Sequence, residues 1–566
     1  MQEFIQQIRN ALSERGGLSP EEVKIEQPRD PALGDFAFPC FPLAKKLKKA
    51  PPAIAAELAE QLNVDLENIT ATATGPYINF LVDRATLAET VVNAVLTAGA
   101  SYGTSQEGAG KKIVIDLSSP NIAKPMSVGH LRSTVIGAAL QRIFDTLGYE
   151  TVGINHIGDW GSQFGKLIAA LDRWGADTDL ESDPIQALLG LYVRYHKEEE
   201  GDPELAEAGR AAFRALENGT DPEVRSKWEH ITKLSLLEFD KIYDRLGVGF
   251  DEVRGEAYYE PHLESTIQRV ESAGITELSE GALIVDLTHI SENTPPCLLR
   301  KTDGTTLYAT RDLAAVFHRW ELYEFERCLY VVGGDQRLHF QQLKGVLDRM
   351  KLEWEERVEH ISFGMMRLPE GRMSTRKGRV VFLEDVLDRA VEEALRIIKE
   401  KSPDLPDPEA VAEQIGVGAV IFNDLRRERI KDVEFNWEEI LSFEGETGPY
   451  VQYTHARLSS ILRKAEAREE GGGEADWTAL EEASGVLLRI GRFPDVIRSA
   501  GRNAEPSELS TWVLGLAREV NGWYAKNRVL GQDSGVTAAR VALVKATQET
   551  LATGLRLLGL AAPPEM

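Results

Sequence analysis

Two short segments of the sequence concentrate groups that neutralise and orient phosphate. The first reads Ser118-Ser119-Pro120-Asn121-Ile122-Ala123-Lys124-Pro125-Met126-Ser127-Val128-Gly129-His130-Leu131. The first N–H groups of a helix lack intrahelical partners and lie at the positive end of its dipole, so a loop that opens a helix attracts phosphate. Gly129 allows a phosphate or a flat base to come close. His130 can donate to an oxygen that gains charge when an α-phosphate is attacked, and Lys124 can add a full positive charge. The second segment, Arg372-Met373-Ser374-Thr375-Arg376-Lys377-Gly378-Arg379, gathers four cations, two hydroxyls and a glycine into eight residues. Such a donor-rich loop suits a pyrophosphate leaving group. Neither a Walker A loop nor a G-x-G-x-x-G run occurs at the first segment, which disfavours a P-loop NTPase or a dinucleotide enzyme. Taken singly, the segments also read as a helix-start glycine beside a surface histidine and as a solvated basic turn or RNA contact.

The elements around these segments supply a scaffold of the right kind. KKIVIDLSS is a short β-branched run that ends in turn residues, and Gly129 to Leu147 carries helical periodicity. Strand, loop and helix in that order open a Rossmann-like α/β unit. Strand-like runs recur at 282–287, 328–332 and 360–365, interleaved with helices as a parallel sheet needs, while 167–250 reads as a charged helical insertion. Before this unit, residues 1–110 read as an α+β domain with a strand at Tyr77 to Val82, closed by the linker-like AGASYGTSQEGAGKK. Beyond Phe382 the pattern is almost wholly helical, and the break at KSPDLPDPEA places the start of a C-terminal bundle near Pro403. The expected organisation is therefore an N-terminal α+β domain (1–110), a Rossmann-like catalytic domain with a parallel sheet (111–402) and an all-α bundle (403–566).

Composition narrows the function classes. A chain of 566 residues with 43% hydrophobic and 27% charged residues is an ordinary multidomain globular protein. No stretch is apolar enough for a membrane span, and the N-terminus lacks a secretory signal, so a cytoplasmic protein is expected. The three cysteines, Cys40, Cys297 and Cys328, lack the paired spacing of a zinc site or a disulfide framework. A net charge of −26 argues against a protein that coats nucleic acid non-specifically. It leaves room for a shaped RNA partner met by local basic patches.

The two loops together resemble the HIGH and KMSK signatures of class I aminoacyl-tRNA synthetases, and SSPNIAKPMSVGHLRST looks like the version carried by the arginyl-tRNA synthetase family. NHIGDWGSQFG at 155–165, LYATRDLAA at 307–315, GDQRLHFQQ at 334–342 and FEGETGPYVQYTHARLSSI at 443–461 extend the likeness in the family's order. There are two departures. Ser127 replaces the first histidine of HIGH, and the KMSK stretch reads Arg372-Met373-Ser374-Thr375, with neither usual lysine in register.

The resemblance implies ATP-dependent activation of arginine and its transfer to tRNA(Arg), with Mg²⁺ accompanying ATP and tRNA needed even for the first step. His130 and Lys124 become catalytic candidates along with Arg372, Arg376 and Lys377, of which the one that touches pyrophosphate stays open. Ser127, Gly129, His130, His339, Met373 and Ser374 become ATP candidates, and Asn121, Glu256, Tyr308, Asp312 and Gln336 arginine candidates. A guanidinium is a planar, permanent cation, which a fork of carboxylates with neutral acceptors would select. Tyr308 and Asp312 are four apart and share a side if a helix has begun there. The same resemblance implies that Tyr77 and Asn79 meet a flipped base of the tRNA, and that Tyr453 and Arg457 serve an anticodon-binding bundle. Alternatives are a ligase for lysine or glutamate, a non-catalytic RNA-binding relative and a general nucleotidyltransferase. An acidic amino acid would want a cation where Glu256 and Asp312 stand. A monomer is expected.

Overall fold

A computed structural model describes every residue except 29, 368–381, 435 and 443, together with the side chains of 31 and 367. The chain opens with an α+β unit. Helices α1 (Gln2–Gly16), α2 (Phe41–Leu47), α3 (Pro51–Asp65) and α4 (Arg84–Ala98) surround strands β1 (Phe36–Pro39), β2 (Ile69–Thr74) and β3 (Tyr77–Val82). The antiparallel order is β1-β3-β2. In α1 the apolar positions Phe4, Ile8, Ala11 and Leu12 recur at helical spacing and are buried, and Gly17 ends the helix in the left-handed region.

The central unit is built on five parallel strands: β4 (Lys112–Asp116), β5 (Glu150–Asn155), β6 (Glu252–Val253), β10 (Arg327–Tyr330) and β11 (Val358–His360). Their order is β11-β10-β4-β5-β6, and every pairing is parallel. The alternation of β4 explains how both faces are covered. Ile113 and Ile115 face one core, whereas Val114 joins Val152, Ile154, Cys328 and Tyr330 in another. Helix α5 (Val128–Thr146) packs against β4 and β5, and α11 (Tyr308–Tyr323) and α12 (Arg337–Arg349) serve the second core. A sheet buried on both sides needs such continuous apolar strands. Strand order reverses between β4 and β10, so a crevice opens at the carboxyl ends of these two strands.

Between β5 and β6 lie helices α6 (Ser162–Trp174), α7 (Pro184–Glu199), α8 (Pro203–Asn218) and α9 (Pro222–Leu246). α6 crosses α8 closely because two glycines meet: a Cβ on Gly165 would lie 2.3 Å from the Gly209 carbonyl oxygen. The run at 282–287, expected in the parallel sheet, belongs elsewhere. After α10 (Leu263–Ser272), strand β8 (Ala282–Val285) pairs antiparallel with β7 (Thr276–Ser279) and β9 (Cys297–Arg300). Its short continuous apolar run, ALIV, is compatible with either sheet, and the two-residue turn Glu280-Gly281 sends it back on β7. The linker-like run is mostly exposed, and it is also pinned. Ser105 and Gly108 donate to the carbonyls of Thr146 and Leu147, and the Tyr102 ring stacks on Phe493.

A short pair follows, β12 (Met366–Arg367) with β13 (Val433–Glu434), and the remainder is helical. The helices are α13 (Leu383–Lys401), α14 (Pro408–Leu425), α15 (Trp437–Ile440), α16 (Gly448–Ala467), α17 (Ser484–Gly491), α18 (Phe493–Asn503), α19 (Ser507–Tyr524) and α20 (Ser534–Leu558). A buried ion pair fixes α14 to α5: Arg132 Nε lies 2.7 Å from Asp424 Oδ1, and both side chains are within 1% of full burial. The guanidinium also donates to the carbonyls of Gly364, Arg429 and Lys431.

Candidate active site

The loop after β4 is held in an unusual backbone. Ser118, Ser119 and Ala123 all have φ between 55° and 71°, a region that side chains rarely adopt. Polar contacts over-determine it. Ser118 N–H donates to Ser133 Oγ, Ser119 Oγ to Asp116 Oδ1, and Ala123 N–H to Ser235 Oγ on α9. Tyr243, also on α9, shares a hydrogen bond with Ser118 Oγ (2.8 Å) and accepts from Asn155 Nδ2 (3.0 Å). Beneath them Asp116 pairs with the fully buried Arg319 at 2.7 Å, and that guanidinium lies over the Tyr330 ring. The insertion is thus part of the mounting of this loop.

At the carboxyl ends of β4 and β10 is a cavity of about 640 Å³. Its walls include Asn121, Glu256, Tyr308, Asp312, Gln336 and His339, with Asp116, His156, Gly158 and Arg311. Six residues expected at an amino-acid or nucleotide site therefore converge from four different segments. α11 begins at Tyr308, so Tyr308 and Asp312 do occupy one turn. His339 Nε2 donates to Asp312 Oδ2 at 2.5 Å, and the Tyr308 and His339 rings are 5.0 Å apart. Burial pushes the Asp312 carboxyl up, but its hydrogen bond to His339 and the charges of His339, His156 and Arg319 outweigh that and hold it below the usual carboxylate range. Glu256 behaves in the opposite way. Burial, opposed by Arg311 and reinforced by the charges of Asp312, Asp159 and Glu260, pushes its carboxyl up to about 7. Arg311 is itself held by Glu260 through two hydrogen bonds.

Lys124, Ser127, Gly129 and His130 sit together where the loop enters α5, apart from the cavity walls. Ser127 N–H donates to His130 Nδ1 at 3.0 Å. Nδ1 is then the acceptor, so the neutral ring carries its proton on Nε2 and presents a donor. Burial, aided by the charge of Lys124, lowers the His130 pKa and favours that neutral form. Burial also lowers the pKa of Lys124, whose ammonium lies over the Tyr192 ring. Arg372, Met373, Ser374, Arg376 and Lys377 lie outside the described residues. The described chain resumes at Phe382, which pairs with Ser127, and Leu383 N–H donates to the Met126 carbonyl.

The other expected residues occupy two further surfaces. Tyr77, 36% exposed, and the buried Asn79 share one face of β3, and Asn79 Nδ2 has no hydrogen-bond partner among the described residues. Tyr453 and Arg457 share a turn of α16, where the guanidinium lies over the Tyr453 ring and donates to Asn521 Oδ1. They line a second cavity of about 540 Å³ with Arg463, Lys464 and Tyr524. Sequence reasoning assigned no role to Asp116, His156, Asp159, Arg311 or Arg319. The runs NHIGDWGSQFG and LYATRDLAA contain three of them and were the only pointer.

A parallel sheet whose switch-point crevice meets a glycine-histidine helix start, joined to a helical C-terminal bundle, defines a class I aminoacyl-tRNA synthetase. Comparison with known families agrees. Residues 91–437 match the catalytic domain of class I tRNA synthetases for arginine, 451–566 the DALR anticodon binding domain, and 2–82 the arginyl tRNA synthetase N terminal domain. Arginine–tRNA ligases of Clostridioides difficile and Exiguobacterium sibiricum are 46% and 47% identical over essentially the whole of both chains. The solved arginyl-tRNA synthetase of Thermus thermophilus is 27% identical and superposes with a TM-score of 0.83 over 99% of each chain. The chain belongs to the arginyl-tRNA synthetase family. Its activity is that of an arginine–tRNA ligase using ATP, with the anticodon-binding domain among its contacts to tRNA(Arg). Among the described residues no helix is long and apolar enough to cross a membrane.

Proposed function

We propose that the crevice cavity binds arginine with its guanidinium between Glu256 and Asp312, and that the adjacent α5 entrance binds ATP. Asn121 takes the α-amino group, and Tyr308 and Gln336 complete the polar surround. Lys124, Ser127, Gly129 and His130, with His339, Met373 and Ser374, hold the nucleotide; Arg372, Arg376 and Lys377 neutralise the departing pyrophosphate. The observation that carries this reading is the convergence of Glu256 and Asp312, from separate elements, on one cavity at the strand ends. The arginine carboxylate attacks the α-phosphorus, forming the mixed anhydride as the bond to pyrophosphate breaks. The 3′-terminal ribose hydroxyl of the tRNA then attacks the carbonyl carbon and AMP leaves. Neither step needs a protein nucleophile, and the donor on His130 Nε2 suits the charge that grows on phosphate oxygens. Among the described residues no three His, Cys, Asp or Glu side chains converge as a metal group. Mg²⁺ would enter with the triphosphate and neutralise part of its charge.

The N-terminal domain (1–110) meets the tRNA through Tyr77 and Asn79. The bundle (403–566) meets it through Tyr453 and Arg457, where an aromatic face and a guanidinium flank a basic cavity. The domain at 111–402, with its insertion at 167–250, does the chemistry. The protein acts as a cytoplasmic monomer. ATP–pyrophosphate exchange with purified protein tests the reading. Exchange that requires both arginine and tRNA(Arg) is expected; no exchange with any amino acid would refute it.

A further inference from the structure

The turn that carries Glu256 is not held by the cavity itself. It is seated on the loop 155–159 by two backbone contacts and one side chain. Arg254 N–H donates to the Asn155 carbonyl, Glu256 N–H to the Ile157 carbonyl, and Ala257 N–H to Asp159 Oδ1 at 2.8 Å. Gly255 lies directly on the Asp159 carboxylate: a Cβ there would be 2.3 Å from Oδ2. Asp159 is 5% exposed, has no salt-bridge partner among the described residues, and is fixed in turn by Trp228 of α9, whose Nε1 donates to the Asp159 carbonyl at 2.8 Å. The same loop reaches the opposite wall. Gly158 N–H donates to the Pro120 carbonyl and Ile122 N–H to the Gly158 carbonyl, so Asn121 is registered against Gly158.

We infer that Asp159 is a positioning residue for amino-acid specificity, whose side-chain oxygen sets the place of Glu256 by accepting from Ala257 N–H. A buried carboxylate that accepts one backbone N–H and backs onto a glycine is costly to keep unless the geometry it fixes matters. It lies close enough for its charge to act on Glu256, so it also deepens the negative potential that a guanidinium meets. The carboxylate does not line the cavity, so it acts through Glu256 and not by touching the substrate. The inference rests on the reading that Glu256 binds the guanidinium.

Three variants separate the possibilities by steady-state exchange with tRNA present, each checked for wild-type thermal midpoint. Asp159→Ala removes the acceptor and is expected to raise KM for arginine more than tenfold while KM for ATP stays within twofold. Asp159→Asn keeps an oxygen at the same reach and is expected to restore KM for arginine to within about threefold of wild type. Glu256→Gln is expected to raise KM for arginine at least as far as Asp159→Ala. If Glu256→Gln leaves KM for arginine unchanged, the assignment of the pocket fails. If Glu256→Gln raises it and Asp159→Ala does not, or raises arginine and ATP constants alike, the positioning role alone is overturned. The role also fails if Asp159→Asn is as impaired as Asp159→Ala. Should Asp159→Ala fail to fold, the Asp159→Asn result and arginine protection of the wild type against Glu256→Gln decide.

Discussion

Binding of arginine should release protons near neutral pH, because Glu256 is poised between its two forms. Its carboxyl titrates at about 7, raised first by burial and further by Asp312, Asp159 and Glu260, with Arg311 opposing. Against an ordinary value of 4.5 this is a differential cost to the charged form on the order of 3 kcal/mol. With the pKa raised in the free protein, the acid form predominates below 7 and the carboxylate above it. A guanidinium interacts favourably with the carboxylate alone, so affinity is small at low pH, rises through 7 and levels off beyond 8. The ionised fraction goes from roughly one tenth at pH 6 to nine tenths at pH 8, so Kd for arginine should fall about tenfold across that interval. At pH 7 binding should release about half a proton per site. Titration calorimetry in buffers of different ionisation enthalpy reads both quantities. Glu256→Gln should abolish the pH dependence and the release, which separates Glu256 from the nearby histidines. A Kd that is flat from pH 6 to pH 8, with no buffer-dependent heat, would refute the argument.

Two other outcomes can be checked on single variants. Gly158→Ala would bring a methyl group within 2.3 Å of Asn121 Oδ1; the carboxamide must swing away, and loss of a hydrogen bond to a charged amino group should raise KM for arginine roughly 10- to 100-fold with little change in thermal midpoint. Asp424→Ala leaves the Arg132 guanidinium, 1% exposed, without its carboxylate, which should cost about 3 kcal/mol in denaturant titration, well beyond Asp424→Asn.

What the sequence made legible was local chemistry, and what it hid was pairing. The strand-loop-helix around Gly129 and His130 was readable because a β-branched run meets helical periodicity at a turn, and α5 spans Val128–Thr146, close to the expected 129–147. The four-residue spacing of Tyr308 and Asp312 was readable for the same reason. The partner of β8 was not, since a short apolar run carries no information on which distant strand it joins. Arg132 and Arg319 were invisible as interior residues because arginine is usually exposed; only the fold supplies Asp424 and Asp116 to them. The glycine-rich run near 103–108 reads as an exposed linker, and its glycines also permit close contact. A Cβ on Gly108 would lie 2.3 Å from the Tyr149 ring, so the composition that suggests mobility here allows tight seating.

The same distinction bears on how an acidic chain serves a polyanionic partner. Many surface cations are committed to intramolecular partners: Lys49 to Glu57, Arg463 to Glu565, Arg173 to Asp202. With a net charge of −26, non-specific attraction to RNA backbone is weak, and binding has to come from sites that combine shape with a few cations. The faces around Tyr77 and Tyr453 have that character, an aromatic ring at the surface of a rigid element, with Arg457, Lys464 and Tyr524 beside Tyr453 in its cavity. Because β3 and α16 are seated in cores continuous with the central sheet, a tRNA bound at both faces, as proposed, would also be registered against the crevice that Glu256 and Asp312 line. Discrimination of the RNA and of the amino acid then depends on one continuous scaffold, with α9 and loop 155–159 at the point where the insertion, the signature loop and the Glu256 turn meet.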